Sequence, residues 1–231
     1  MIPATVLHEV RDIYLRSRKE RDDFWTDRVS RPPAALLVWW VKDTAVTPNR
    51  ITLVSLGVGL IAAAMFVLCP GRLGLLAAGL MVQLGYVLDC ADGQLARLRG
   101  TATALGAQLD FVTDAIKAPA LLAGVTLRLW REHDDPLYVV VGLLGLAALA
   151  AGLSLTSFVR GSEFSAGGGA SVPRGKGVRA VEWLGRTAIQ YPRYLLLVCA
   201  LGLVEIYFFA YVAANALYAA RTLLGVARRV A

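Results

Sequence analysis

Long apolar runs alternate with short charged segments along this chain of 231 residues. Residues 51–69 and 136–159 contain no charged side chain, and each run is long enough to cross a bilayer as a helix. Two shorter apolar runs, residues 73–88 and 115–127, are each joined to one end of a polar segment that lies between them. These runs predict two further membrane helices that continue into the polar segment.

The last apolar region, residues 194–227, is interrupted only by Glu205 and Arg221. Its length exceeds one comfortable membrane span, and we therefore predict two helices that turn near Glu205. The whole pattern predicts an all-α integral membrane protein with six transmembrane helices. A helical bundle is the natural fold, because backbone groups inside lipid must be hydrogen-bonded within the protein.

Charged residues occur throughout the first 33 residues, which form a segment distinct from the bundle. Apolar side chains in this arm recur at helical spacing, at Val6, Leu7, Val10, Ile13 and Tyr14, followed by Phe24 and Trp25. The spacing predicts an amphipathic helix on the membrane surface, although a solvated helical arm has the same pattern. We therefore divide the chain into a cytoplasmic juxtamembrane arm, residues 1–33, and a transmembrane domain, residues 34–231.

Composition supports this interpretation and orients the helices. Hydrophobic residues make up 57% of the chain and charged residues only 18%, whereas soluble domains carry roughly a quarter charged residues. With six spans, 20 of the 24 Lys and Arg residues fall on the face that holds both termini, and three fall on the opposite face. The positive-inside rule places both termini and the polar segment at residues 89–114 in the cytoplasm. The net charge of +7 indicates an anionic lipid surface or phosphorylated substrates, because no nucleic-acid-binding motif is present.

Two other features suggest no chemistry of their own. Cys69, Cys90 and Cys199 fall within or beside apolar runs without metal-binding spacing, so we expect small hydrophobic side chains and no disulfide. The Gly-rich segment at residues 161–177 does not match a phosphate-binding loop. It predicts a flexible cytoplasmic linker or a loop that closes over a substrate.

The polar segment contains four aspartates in two closely spaced pairs. Asp89 and Asp92 are three residues apart, and Asp110 and Asp114 are four residues apart, so each pair lies on one face of a helix. The sequence LRGTAT at residues 98–103 predicts a tight turn between the two helices. Two antiparallel helices joined there bring their cytoplasmic ends together, and the four carboxylates can then converge.

Four partly desolvated carboxylates repel one another unless a cation offsets their charge. An all-oxygen cluster is the ligand set that Mg²⁺ or Mn²⁺ prefers, usually completed by substrate phosphate. One alternative is a set of helix-end carboxylates that face water. Another is an ion or proton relay in a transporter, but such relays place their acids near the membrane midplane rather than at helix ends.

Small residues beside the aspartates indicate space for a ligand. Gly93 directly follows Asp92, Ala96 lies one turn further, and Gly106 belongs to the start of the next helix. Small side chains allow another helix or a flat ligand to approach the backbone closely. Beside a metal cluster and Arg97, they leave room for a nucleotide whose pyrophosphate bridges the metal and the guanidinium.

These residues together resemble the signature of the CDP-alcohol phosphotransferase family. The pattern is Asp89-x2-Asp92-Gly93-x2-Ala96-Arg97-x8-Gly106-x3-Asp110-x3-Asp114, with all eight fixed positions present. The segment TPNRIT at residues 47–52 is similar to the family's approach to its first membrane helix. The resemblance implies an integral membrane enzyme, often a homodimer, that moves a substituted phosphate from a CDP-linked donor to an alcohol and releases CMP.

The resemblance also implies a role for each matched residue. Two divalent ions would be held by Asp89, Asp92, Asp110 and Asp114, and Asp114 would also accept the proton of the acceptor hydroxyl. The CDP moiety would be bound by Asn49, Thr52, Gly93, Ala96, Arg97, Thr103 and Gly106.

The two histidines, His8 and His133, lie in the arm and in the opposite-face loop of the predicted topology. A carboxylate must therefore act as the base, and a Ser-His-Asp mechanism is excluded.

The acceptor is not specified by the signature. Lys117, Arg160, Arg186 and Arg193 are candidate acceptor-binding residues, and a phosphorylated polyol such as inositol phosphate or glycerol phosphate would explain this basic surplus. A structural or electrostatic role for Lys117, and positive-inside roles for the three arginines, are the alternatives. CDP-diacylglycerol is the expected donor, with a CDP-aminoalcohol or a CDP-polyol as alternatives, and a transporter or catalytically silent scaffold is the non-enzyme alternative.

Overall fold

The computed structural model describes residues 4–17, 24–165 and 194–230, and every regular element within these ranges is helical. The α-helices are α1 (Ala4–Arg16), α2 (Arg31–Val41), α3 (Pro48–Leu68), α4 (Gly71–Leu98), α5 (Ala104–His133), α6 (Leu137–Ser165), α7 (Leu195–Leu201) and α8 (Val204–Val230). A π-helical turn, Thr26–Ser30, leads directly into α2. The all-α prediction is confirmed for the described residues.

Three of the described helices are long and apolar enough to cross a membrane. They are α3, α4 and the Leu137–Leu155 part of α6. The predicted turn near Glu205 is present, because α7 ends at Leu201, Gly202 has a φ of 72°, and α8 begins at Val204. The count of six spans remains a prediction, as does the function of the Gly-rich segment, most of which lies outside the described residues.

Local sequence explains where the two central helices begin and end. The hydroxyl of Thr47 accepts a hydrogen bond from the Arg50 backbone N–H at 3.4 Å, and Pro48 occupies the first turn of α3, where its missing N–H costs nothing. Pro70 and Gly71 separate α3 from α4, and Gly71 has a φ of 72°. The two helices then pack against each other as an antiparallel hairpin.

Residues Ala4–Arg16 of the N-terminal arm form helix α1. Part of its apolar side, around Ile13, packs on protein, whereas Leu7 is exposed. Ile13 is buried in a cluster with residues of α2 and α4, among them Ala34, Val38 and Leu95. At the other edge of α1, Trp39 and Lys42 donate hydrogen bonds to Glu9 at 2.9 and 2.8 Å. The bond from Lys42, followed by that from Trp39, holds the pKa of Glu9 below its usual range. A position of α1 on the membrane surface remains a prediction.

Helix α2 was not anticipated from the sequence. Its signal is a short apolar run, residues 34–41, preceded by two prolines that occupy the first turn. Arg31 at its start is buried and donates a hydrogen bond to the Ser17 carbonyl oxygen at 3.2 Å. The hydrogen bond from Arg31 thus connects the start of α2 to the end of α1. A hydropathy window long enough for a membrane span does not detect α2, because the helix has only 11 residues.

The chain forms two compact units. One comprises Met1–Leu121 with Pro192–Ala200, and the other Leu122–Tyr191 with Leu201–Ala231. Within the second unit α6 packs on α8, where a Cβ at Gly145 would lie 2.7 Å from a Val212 methyl. All the signature residues belong to the first unit.

Candidate active site

The turn predicted between the two aspartate pairs caps the end of α4. Gly100 has a φ of 65°, and its N–H donates to the Arg97 carbonyl at 3.2 Å, while the Thr101 N–H donates to the Ala96 carbonyl at 2.9 Å. This pair of bonds is the Schellman pattern, in which glycine adopts the left-handed conformation at low cost. The turn ends α4 and allows α5 to begin at Ala104.

Three of the four aspartates meet in one cluster. Asp89 on α4 and Asp110 and Asp114 on α5 each offer a carboxylate oxygen, and these three atoms lie within 4.8 Å of one another. Asp89 and Asp110 are partly buried, and the side chain of Asp114 is 58% exposed. The sequence prediction of convergence therefore agrees with the geometry of these three residues.

Asp92 has a different local partner. Its residue is only 7% exposed, and its Oδ2 accepts a hydrogen bond of 2.5 Å from the hydroxyl of Thr52 on α3. The same hydroxyl also lies 3.2 Å from the Pro48 carbonyl. A hydroxyl has a single proton to donate, and we assign it to Asp92, because that contact is shorter and the acceptor is a carboxylate. Thr52 thus contacts a signature aspartate directly, and the role of Asp92 as a metal ligand remains a prediction.

Lys117 lies inside this group of acids. Its ammonium is 2.8 Å from an oxygen of Asp89 and 2.8 Å from an oxygen of Asp114, and 3.3 Å from the Ser55 hydroxyl. The residue is 6% exposed. The buried ammonium therefore has two carboxylate partners, Asp89 and Asp114.

Gly93 and Arg97 lie against each other on α4. A Cβ at Gly93 would approach the terminal guanidinium nitrogens of Arg97 at 3.2 and 3.4 Å. The Nε of Arg97 donates a hydrogen bond of 2.8 Å to the carbonyl of Ser17, the residue that follows α1. The glycine therefore gives the guanidinium a place beside the helix backbone, and the arm holds it there.

The other predicted nucleotide-binding residues meet where α5 begins. The Thr103 hydroxyl accepts a hydrogen bond of 3.1 Å from the Gly106 N–H, as a residue preceding a helix does. A Cβ at Gly106 would lie 3.6 Å from the side-chain oxygen of Asn49. Thr103, Gly106 and Asn49 are thus neighbours, and Ala96 lies in the last turn of α4.

The candidate acceptor residues are described unequally. Arg160 belongs to the backbone of α6, whereas Arg186 and Arg193 lie outside the described residues. Of the four candidates, Lys117 is the one whose side-chain contacts are defined.

Sequence reasoning missed three residues that shape the site. Ser55 and Gly59 on α3 contact Lys117, and their signal was a pair of small residues one turn apart on the same helix face. The third is Arg99, whose guanidinium donates to the carbonyls of Val41, Lys42, Thr44 and Val46, between the end of α2 and the start of α3.

The donor set fits a hard divalent cation. The three clustered groups are all carboxylates, and oxygen ligands without sulfur or imidazole suit Mg²⁺ and Mn²⁺. The 4.8 Å limit on the separations of their oxygens allows them to share one ion. Lys117 offsets part of the acidic charge, so the cluster keeps a net negative charge that attracts a cation.

Comparison with known proteins identifies the same family as the sequence signature. A model of the CDP-alcohol phosphatidyltransferase family matches residues 45–227. The chain belongs to this family. The match includes the aspartate cluster, α3 to α7 and most of α8.

Several relatives are named for inositol-phosphate lipids. The chain is 35% identical over 112 residues to a phosphatidylinositol phosphate synthase of Corynebacterium glutamicum, a match that covers 48% of each protein. It is 32% identical over 102 residues to an archaetidylinositol phosphate synthase of Pyrococcus horikoshii, covering 44% of this chain and 52% of the relative. The matched region spans about half the length of both relatives.

Solved structures of a further relative share the fold. The crystal structure of Mycobacterium tuberculosis phosphatidylinositol phosphate synthase with CDP-DAG bound aligns with a TM-score of 0.56 at 20% identity, and covers 85% of this chain and 92% of that chain. The apo form of the same protein aligns with a TM-score of 0.53, and covers 84% of this chain and 94% of that chain.

Proposed function

We propose that this protein transfers a phosphatidyl group from CDP-diacylglycerol to the hydroxyl of a phosphorylated polyol, of the inositol phosphate class, and releases CMP. The carrying observation is the convergence of Asp89, Asp110 and Asp114 at the spacing of the family signature. The choice of acceptor is supported by two relatives whose names are phosphatidylinositol phosphate synthase and archaetidylinositol phosphate synthase. The choice of donor is supported by the CDP-DAG bound in the Mycobacterium tuberculosis structure.

The aspartates would hold Mg²⁺ or Mn²⁺, with Asp92 completing a site for two ions. A divalent ion bound there would supply neutralisation of the negative charge on the transferring phosphate. The protein contributes the positions of the carboxylates. Helices α4 and α5 present them from opposite sides of the Gly100 turn, so a phosphate between the helices meets ligands from both.

Asp114 is the proposed base. Its side chain is the most exposed of the three clustered aspartates, so a substrate hydroxyl can approach it. The hydroxyl oxygen forms a bond to the β-phosphorus of the donor, the bond from that phosphorus to the CMP phosphate breaks, and the hydroxyl proton passes to Asp114. CMP leaves with the electrons of the broken bond, so atoms and charge balance.

The CDP moiety is proposed to lie between the end of α4 and the start of α5. Gly93, Ala96 and Gly106 leave space there, and Asn49 and Thr103 present side-chain oxygens beside Gly106. Arg97 would meet the pyrophosphate with the guanidinium nitrogens that lie next to Gly93. Thr52 would act through its bond to Asp92.

The acceptor phosphate is proposed to meet basic residues in the last turns of α6 and in the sequence that follows it. Arg160, Arg186 and Arg193 remain candidates because they fall on the cytoplasmic face of the predicted topology. We further propose that the protein is a homodimer embedded in the membrane, with both termini and the active site in the cytoplasm. The excess of Lys and Arg on that face supports this orientation.

Replacement of the proposed base tests this function. Asp114→Asn keeps the shape of the side chain but removes a proton acceptor and a metal-binding charge, so metal-dependent CMP release should fall at least about 10³-fold. The matched control is Asp134→Asn, an exposed aspartate in the loop after α5, which should retain wild-type activity. Release of CMP by Asp114→Asn at more than about a tenth of the wild-type rate would contradict the assignment.

A further inference from the structure

Lys117 connects three helices around the carboxylate cluster. From α5 its ammonium reaches an oxygen of Asp89 on α4 at 2.8 Å, an oxygen of Asp114 one turn back on α5 at 2.8 Å, and the Ser55 hydroxyl on α3 at 3.3 Å. The ammonium thus donates hydrogen bonds to Asp89 and Ser55 and forms an ion pair with Asp114. Its contacts are with groups of the protein itself, and the residue is buried.

Helix α3 is shaped to receive this side chain. A Cβ at Gly59 would lie 2.9 Å from the Cγ and 3.0 Å from the Cδ of Lys117, so the glycine makes room for the lysine stem. One turn earlier, Ser55 donates its hydroxyl proton to the Gly85 carbonyl at 3.0 Å. That bond turns the hydroxyl oxygen towards Lys117 as an acceptor.

We infer that Lys117 is a positioning residue, which holds the carboxylates of Asp89 and Asp114 in the arrangement that catalysis requires, and that Ser55 and Gly59 are its cradle. This inference rests on the proposed function, because the arrangement matters only if the cluster is catalytic. The two ion pairs, both at 2.8 Å, link a carboxylate of α4 to one of α5 through the ammonium. The lysine therefore sets how far apart these two ligands lie and which way Asp114 faces.

Gly59→Ala tests the position of Lys117 without removing any charge. The added methyl must displace the lysine stem, and a displacement of about 1 Å at a catalytic group can cost 10²-fold in rate. We expect kcat for CMP release to fall at least about tenfold. KM for the CDP donor and for the polyol phosphate should change less than about twofold, since no substrate contact is altered.

The control is Gly57→Ala on the same helix. A Cβ there would meet nothing within 4 Å, so it tests the general effect of replacing a helical glycine. It should leave kcat and both KM values at wild-type levels. Equal activity of Gly59→Ala and Gly57→Ala would overturn the inference.

Lys117→Met supplies a second measurement that does not depend on turnover. Removing a positive charge beside the carboxylates should make Mn²⁺ bind more tightly, which electron paramagnetic resonance measures as free Mn²⁺, while kcat at saturating Mn²⁺ falls. Unchanged kcat would mean that Lys117 only balances charge, and raised acceptor KM with unchanged kcat would mean that it binds the acceptor. Either result overturns the inference.

The wild-type protein separates failure of this inference from failure of the proposed function. If wild-type protein releases CMP and the Gly59 and Lys117 variants match it, the positioning role is wrong and the function stands. If wild-type protein releases no CMP with metal and donor present, both are wrong. If Lys117→Met does not fold in detergent, the comparison of Gly59→Ala with Gly57→Ala decides.

Discussion

At the residue scale, Asp92 illustrates how the site keeps a buried carboxylate in a defined orientation. Its side chain accepts a 2.5 Å hydrogen bond from the Thr52 hydroxyl. The carboxylates of Asp89 and Asp110 are close enough to repel a negative charge on Asp92. A hydroxyl donor partly replaces the water that burial removes. The hydrogen bond therefore favours one orientation of the Asp92 carboxylate.

Thr52→Val removes this donor while it keeps the size and branching of the side chain. A hydrogen bond to a charged group contributes about 1.5–3 kcal/mol, so kcat/KM for the CDP donor should fall at least about tenfold. Thr52→Ser keeps the hydroxyl and should remain within about threefold of wild type. Wild-type kinetics in the Val variant would show that the bond is dispensable.

The convergence of the carboxylates could be predicted from the sequence, but the residues that contact them could not. Spacings of three and four residues on either side of a glycine turn predict that Asp89, Asp110 and Asp114 meet, because helix periodicity and the turn are both local. The bonds of Lys117 to Asp89 and Ser55 join residues 28 and 62 positions apart. Such contacts depend on how α3 packs against α4 and α5, which local patterns do not specify.

At the element scale, Arg99 holds the loop between α2 and α3. Its guanidinium donates to four carbonyl oxygens of residues 41–46, at distances from 2.6 to 3.2 Å. These carbonyls belong to the end of α2 and the approach to α3, so one side chain satisfies groups that the helices cannot. The same loop precedes Thr47 and Asn49, and its order therefore affects the proposed nucleotide-binding residues.

Arg99→Ala should destabilise the protein through this loop. Loss of several charge-assisted hydrogen bonds should lower the free energy of unfolding by about 2–3 kcal/mol, seen as a drop of roughly 5 °C or more in the unfolding temperature in detergent. Arg28→Ala, at an exposed position of the π-helical turn, is the control and should shift it by less than about 2 °C. Equal shifts for the two variants would contradict the role of Arg99.

Helix boundaries show a similar division between local and tertiary causes. The turn at Gly100 was predictable from its glycine and the small polar residues beside it, and the break at Gly202 from the length of the apolar region, which led us to place a turn near Glu205. Helix α2 was not, since it is too short for a membrane span and is stabilised by packing against α1 and α4. The arm was predicted as a helix, but the protein surface that receives Ile13 could not be inferred from its sequence.

At the scale of the whole molecule, charge and hydropathy decide the proposed orientation. From the asymmetry of Lys and Arg, the positive-inside rule predicts that the Gly100 turn lies in the cytoplasm and the loop after α5 on the opposite face. In cells with native cysteines replaced, a membrane-impermeant maleimide should label Pro136→Cys from outside and should label Thr101→Cys only after the membrane is opened. The reverse labelling would show that the orientation is inverted.

The central claim is metal-dependent transfer of a phosphatidyl group, and CMP release tests it most directly. Purified wild-type protein in detergent would receive CDP-diacylglycerol and inositol phosphate, with Mn²⁺ or Mg²⁺ or with chelator. We predict one CMP released for each phosphatidylinositol phosphate formed, and no release with chelator. Absence of metal-dependent CMP release from CDP-diacylglycerol, a CDP-aminoalcohol and a CDP-polyol, each with its alcohol acceptor, would contradict the account.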